Sequence, residues 1–179
     1  MDITGIDLGI AVLRALLAFI FFAHATQKIL GWFSGPGPHA SAALFEKLGQ
    51  HPGARMVRVA AALELTASLT LLTGLLTPVG ICLGVATMIV AGAALTTVSG
   101  KFWNAVGGGE YPFVLAGVVA ALSLTGPGSL SLDAVLLPGL TETYPLLLPL
   151  AVGIGILGAV PMALRARRAI ASQSHADTP

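Results

Sequence analysis

The sequence predicts an all-α membrane protein, a four-helix transmembrane bundle plus a fifth C-terminal transmembrane helix. Three observations carry that expectation. Of 179 residues, 55% are hydrophobic and only 9% charged, with mean hydropathy +0.89, whereas a soluble domain is about 25% charged. Five apolar stretches recur at lengths suited to a bilayer, which takes about twenty helical residues to cross. Proline and glycine punctuate the gaps, as in SGPGP, Thr77-Pro78 and GPG at 126–128.

The first stretch, GIAVLRALLAFIFFAHATQKILGWF (residues 9–33), organises the rest. Its span runs from about 7 to 30 and carries Arg14, His24 and Lys28 within its apolar length. At roughly 100° per residue, His24 and Lys28 stand about 40° apart and Arg14 falls within about 80° of both. The stretch lacks the positive leading region of a cleavable signal peptide and is too long for one, so it is expected to stay. Residues 34–38 cannot continue a helix, and 40–48 read as a short surface helix that lies either in the interface or in an ordinary loop.

The second span, 56–76, holds one acid, Glu64, and Thr77-Pro78 turns the chain into the third, 79–98. That third span is rich in Gly, Ala and Thr, which suits close packing in lipid. The glycine run 107–109 lacks a preceding strand and a Walker lysine, which argues against phosphate binding. The fourth span starts near Glu110, with Pro112 tolerated in its first turn, and ends at Gly126. In the next connector, SLSLDAVL is expected to form a short interfacial segment. The fifth span, 145–164, precedes Arg165, Arg167 and Arg168, which open a tail expected to be disordered.

Lysines and arginines set the orientation. Lys47, Arg55, Arg58, Lys101 and the three tail arginines all fall on one side of a five-span topology, the positive-inside pattern. The amino terminus is expected outside and the carboxyl terminus in the cytoplasm. A net charge of +1 says nothing about nucleic acid, but no basic stripe suits it and none is expected as a partner; the length leaves no room for a separate soluble catalytic domain. Cys82 is the only cysteine, so neither a disulfide nor a CxxC redox pair is available within the chain.

Charged groups at membrane depth are costly and usually pair inside a bundle. His24, Lys28, Glu64 and Glu110 share one layer by depth, and Arg14 sits nearer the outer face, with Thr66, Thr70, Thr73 or Asp133 as partners. These five ionisable residues are the candidate ligand or proton site. Plainer readings stand beside it: Lys28 snorkelling to the interface, Glu110 as a helix-start acid, and Glu64 paired with His24, Lys28 or Arg14 only to order the bundle. One residue per helix without ExxH spacing does not make a di-iron site, so no metal is expected. Trp32, Trp103 and Tyr111 are read as interfacial anchors.

Four ordered pieces carry a family resemblance: Arg14 with HATQKILGWF, ELTASLTLLTGLLTP (64–78), KFWNAVGGGEYPF (101–113) and GPGSLSLD (126–133). Over residues 9–137 the chain resembles the DoxX family of small bacterial integral membrane proteins. Thr97 stands where such proteins often have a histidine, and the fifth span lies beyond the usual four-helix core. The resemblance implies a DoxX-like membrane domain over 1–137, an added transmembrane helix over 138–164 and a basic cytoplasmic tail over 165–179. It implies residence in the bacterial inner membrane and association with sulfur metabolism or oxidative-stress defence.

Three functions are therefore in view. The first is a redox-associated subunit that binds a quinone or another lipid-like molecule between its helices and acts with soluble redox enzymes. His24 and Lys28 would hydrogen-bond the ligand while Glu64 or Glu110 relays a proton. No haem, flavin or iron–sulfur motif is present, so no intrinsic cofactor is expected beyond the quinone. The second is a non-catalytic scaffold or chaperone-like protein, and the third a small transporter. The bilayer and a second copy of the chain complete the expected partners.

Overall fold

A computed structural model describes residues 3–176, with side chains through residue 172. Among these the chain is helical throughout: α1 (Gly5–Ile29), α2 (Gly37–Lys47), α3 (Gly53–Thr73), α4 (Thr77–Ser99), α5 (Glu110–Thr125), α6 (Leu132–Leu136), α7 (Pro138–Thr141) and α8 (Tyr144–Ala176). Four of these, α1, α3, α4 and α8, are long and apolar enough to cross a membrane. The fifth, α5, has 16 residues and rises about 24 Å, short of a hydrocarbon core of about 30 Å.

The surface explains the composition. Leu16, Phe19, Leu69, Leu124, Leu146 and Leu157 are all more than half exposed, each on the flank of a spanning or apolar helix. A contiguous apolar surface of this extent has no place in water; in lipid it is the required coat. The interior is small by contrast, centred on Phe21, Leu71, Ile81, Val85, Val119 and Leu148.

Helices approach closely because α4 and its neighbours carry glycine at the crossings. A Cβ on Gly84 would lie 3.1 Å from the Phe21 ring, one on Gly92 3.0 Å from Phe113, and one on Gly155 2.6 Å from the Cys82 carbonyl. Helix α8 is thus seated against α4, part of the bundle rather than an appendage. The glycine run acts the same way: a Cβ on Gly109 would stand 2.2 Å from the Gly92 carbonyl.

Helix α1 starts on a capping box in which Thr4 and Asp7 satisfy each other's backbone N–H, as orphan amides at a helix start require. The same Asp7 accepts from the Ser129 N–H at 2.9 Å, fastening the first helix to the connector after α5. Helix α1 is joined to α3 through Ser68, whose hydroxyl donates to the Ala18 carbonyl at 2.7 Å.

One expectation needs correction. Helix α8 does not give way to a disordered tail at Arg165; it continues through Ala176, 33 residues in all. Ala166 is buried because the turn at Gly49 packs on it, so closely that a Cβ there would fall 2.5 Å from the Ala166 carbonyl. Residues 177–179 of that tail lie outside the described residues.

Candidate functional site

The five ionisable residues separate into two layers. Along α1, Arg14 and Lys28 are about 21 Å apart at 1.5 Å per residue, and each meets different partners.

At one end, Arg14 is almost wholly buried, 2% exposed. Its Nε donates to the Leu71 carbonyl at 2.9 Å and Nη2 to that of Leu72 at 3.1 Å. Its Nη1 donates to Pro127 and Leu130 carbonyls at 2.5 and 3.2 Å. Leu71 and Leu72 belong to the last turn of α3, whose carbonyls have no helical partner and attract a cation. The guanidinium is therefore a helix cap supplied from another helix. Gly74 makes room for it: φ is +62°, and a Cβ there would fall 2.7 Å from Nη2. The threonines proposed to serve Arg14 do not, since Thr66, Thr70 and Thr73 bond back to carbonyls of α3 itself.

Asp133 does the complementary work at the start of α4. Its carboxylate accepts from the N–H groups of Leu76 and Thr77 at 2.8 and 2.9 Å, the Thr77 hydroxyl at 2.7 Å and the Tyr144 hydroxyl at 2.6 Å. Burial pushes this carboxyl up, but the four donors outweigh it and hold Asp133 below the usual carboxylate range. It acts on Arg14 through its charge, with no ion pair between them within 4 Å among the described residues.

At the other end, Lys28 of α1 forms an ion pair with Glu64 of α3. The Glu64 side chain is 4% exposed and that of Lys28 19%. His24 does not join them by a hydrogen bond; its ring meets that of Tyr111 edge-on at 5.8 Å. Of the two readings of Glu110, the geometry favours the helix-start acid. It accepts from the Asn104 N–H at 2.9 Å and so closes the connector ahead of α5, in the first turn where the helix dipole favours an acid. His24, Glu64 and Glu110 do not gather, and no group of three or more His, Cys, Asp or Glu among the described residues can hold a metal. Trp32, Trp103 and Tyr111 are all exposed; Trp32 leans edge-on against Phe22 and Trp103 against Phe102.

The Lys28–Glu64 pair borders a half-open cavity of about 340 Å³ between α2, α3, α4 and α8. The wall is mostly apolar, with Phe45, Leu48, Met56, Leu63, Val90 and Met162 among its residues. Four polar side chains reach it: Lys28, Glu64, Thr87 and Gln50. The Thr87 hydroxyl is engaged with the Leu83 carbonyl at 2.8 Å. Gln50 is different: it is 6% exposed, and its amide nitrogen has no hydrogen-bond partner. Sequence reasoning missed this residue, because a glutamine in a short connector beside Gly49 carries no periodic or charge signal.

Such an arrangement, a greasy chamber with a few convergent polar groups, suits a lipid-soluble ligand with a polar head. A family model described as DoxX matches residues 9–98, the length of α1 to α4. No match emerges among curated proteins or among solved structures. The pieces KFWNAVGGGEYPF and GPGSLSLD, with α5 to α8, lie beyond the matched residues. Half of the sequence, including Arg14, Lys28 and Glu64, thus falls within one family pattern, and the chain belongs to the DoxX family.

Proposed function

We propose that this multi-pass membrane protein is a redox-associated subunit whose cavity holds a quinone, or a lipid-like molecule of similar head chemistry, for a partner oxidoreductase. The observation that carries the reading is the buried Lys28–Glu64 pair set in the wall of an otherwise apolar cavity. Retaining two charges in a low-dielectric wall is expensive where well-packed apolar residues would do. Their presence beside an open volume points to work on a ligand.

A quinone takes up two electrons and two protons to become a quinol. The electrons would come from the partner, and the protons by way of the Lys28–Glu64 pair. Glu110, turned to the Asn104 backbone, has no part in that relay. Exposed Lys47, Arg55, Arg58, Arg165, Arg167 and Arg168 lie at the same end of the bundle as the cavity. They supply a cytoplasmic docking face for acidic partners in an inner membrane, with the amino terminus outside.

The test is uptake of a short-chain ubiquinone or menaquinone by the purified protein in lipid nanodiscs. Wild type should bind, Glu64→Gln should bind more weakly, and Gly158→Leu should block binding. Gly158 lines the cavity and has open space at its Cβ position, so the new side chain fills volume without a clash. If the wild type takes up no quinone, the reading falls. The scaffold reading rests on the same basic face alone; it gains if partner capture survives Gly158→Leu but is lost when those six cations are neutralised.

A further inference from the structure

The geometry points to Gln50 as the residue that selects the ligand, by donating its side-chain N–H to a neutral carbonyl oxygen of the bound molecule. This inference rests on the cavity reading above and names the chemistry the cavity takes.

Gln50 is aimed inward by a fixed backbone. Its own N–H donates to the Phe45 carbonyl at 2.9 Å, and the preceding residue, Gly49, is pinned against α8. The residue is therefore only 6% exposed, and its side chain lines the cavity with an unpartnered donor. A buried donor without an acceptor is among the costlier things a fold can keep, more so where no water competes to solvate it. Leucine or methionine would fill the same space at no such cost. Ser68 and Thr77 in the interior are satisfied by the protein itself, and the unpaired hydroxyls of Ser41, Thr96 and Ser129 do not line this cavity. Gln50 alone faces the cavity with a donor that nothing in the chain accepts, among the described residues.

The charge balance of the wall narrows the ligand further. Lys28 and Glu64 neutralise each other, so a charged head group would enter with no free counter-ion and bear its full desolvation cost. A neutral acceptor meets no such penalty. A carbonyl fits, and two membrane sources carry one: the ring carbonyl of a quinone and the ester carbonyl of a glycerolipid.

The experiment uses the full chain in nanodiscs made of ether-linked phospholipid, with binding read by native mass spectrometry and stability by thermal unfolding. The probes are menadione, its hydrocarbon counterpart 2-methylnaphthalene, and an ester-linked and an ether-linked diacyl-type lipid of equal chain length. Wild type should prefer a carbonyl probe over its carbonyl-free counterpart by about tenfold, the worth of one net hydrogen bond. Preference within the menadione pair identifies a quinone, and preference within the lipid pair a glycerolipid. Gln50→Leu and Gln50→Met should erase the preference, keep the binding of the hydrocarbon probe, and melt no lower than wild type, because a strained donor is removed.

Equal binding of both members of each pair by wild type would overturn the assignment while leaving the cavity reading intact. So would variants that keep the preference and melt several degrees lower, the signature of a glutamine that serves the fold. Binding of none of the four probes would remove the cavity reading and this inference together.

Discussion

The two charged layers of the bundle hold similar residues and end up doing opposite things. Around Arg14 and Asp133 the two charged side chains are engaged by the chain itself, and most of their partners are backbone groups at helix ends. Around Lys28 and Glu64 the charges meet each other, a cavity lies alongside, and the nearby Gln50 amide goes unpaired. A charged group that is satisfied by its own chain has nothing left to offer a ligand. A polar network that stops short, beside open volume, has. Burial of charge in a membrane bundle therefore does not by itself mark a site; the remaining hydrogen-bonding capacity does.

The largest effect should come from breaking the closed layer. Arg14→Met removes the donor from the carbonyls of Leu71, Leu72, Pro127 and Leu130 and leaves Asp133 without its compensating charge, a loss of about 3–5 kcal/mol. Thermal unfolding in detergent should show most of the folded protein gone. Arg14→Lys should recover little, since a compact ammonium cannot replace a planar fork reaching four carbonyls. Near-wild-type melting of either variant would erase the distinction between the layers.

Next comes the glycine that admits the guanidinium. Gly74→Ala combines a left-handed backbone with a Cβ 2.5 Å from that of Ser131, and should cost about 2 kcal/mol or more. A crystal or cryo-EM structure of the variant should show the Arg14 fork displaced from Leu72.

The open layer should respond less in stability and more in binding. Glu64→Ala leaves Lys28 unpaired, but Lys28 is partly exposed and can reach outward, so about 1 kcal/mol is expected. The double change Lys28→Met with Glu64→Leu should restore much of that loss and still fail to bind quinone. If quinone binding persisted in the double variant, the pair would be structural.

The smallest effect is an acid limb. The folded Asp133 carboxyl lies below its ordinary range, so its contribution is present at all pH values above that range. It is lost as pH falls through the depressed folded value. Asp133→Asn should flatten the decline in melting temperature at the acid end. An unchanged acid limb would mean that other carboxyls set it.

Much of the architecture was legible from composition and spacing, for plain reasons. Apolar stretches of spanning length, broken by SGPGP, Thr77-Pro78 and GPG, can satisfy their backbone in lipid only as helices. Lys28–Glu64 was legible too, since a short acid at depth needs a cation and the first span offered one at that level. Arg14 was harder. Its true partners are carbonyls, which no side-chain pattern in a sequence announces. Glu110 had two readings, and depth along a helix could not choose between them because it says nothing about direction; its carboxylate turns back to the connector, as a helix-start acid. The tail was misjudged because its charges suggested solvent, whereas Ala166, a small residue among arginines, is what lets it pack on Gly49.

The sequence by itself determined the solvent, the number of apolar helices, the basic end and the family, because these follow from residue type and period alone. Which buried charges close on the chain and which border a cavity was decided only by the tertiary structure. That difference depends on how α2, α4 and α8 come together around the Lys28–Glu64 pair and on where the Gly49 turn aims Gln50. Such contacts join residues far apart in the chain, and no local pattern encodes them.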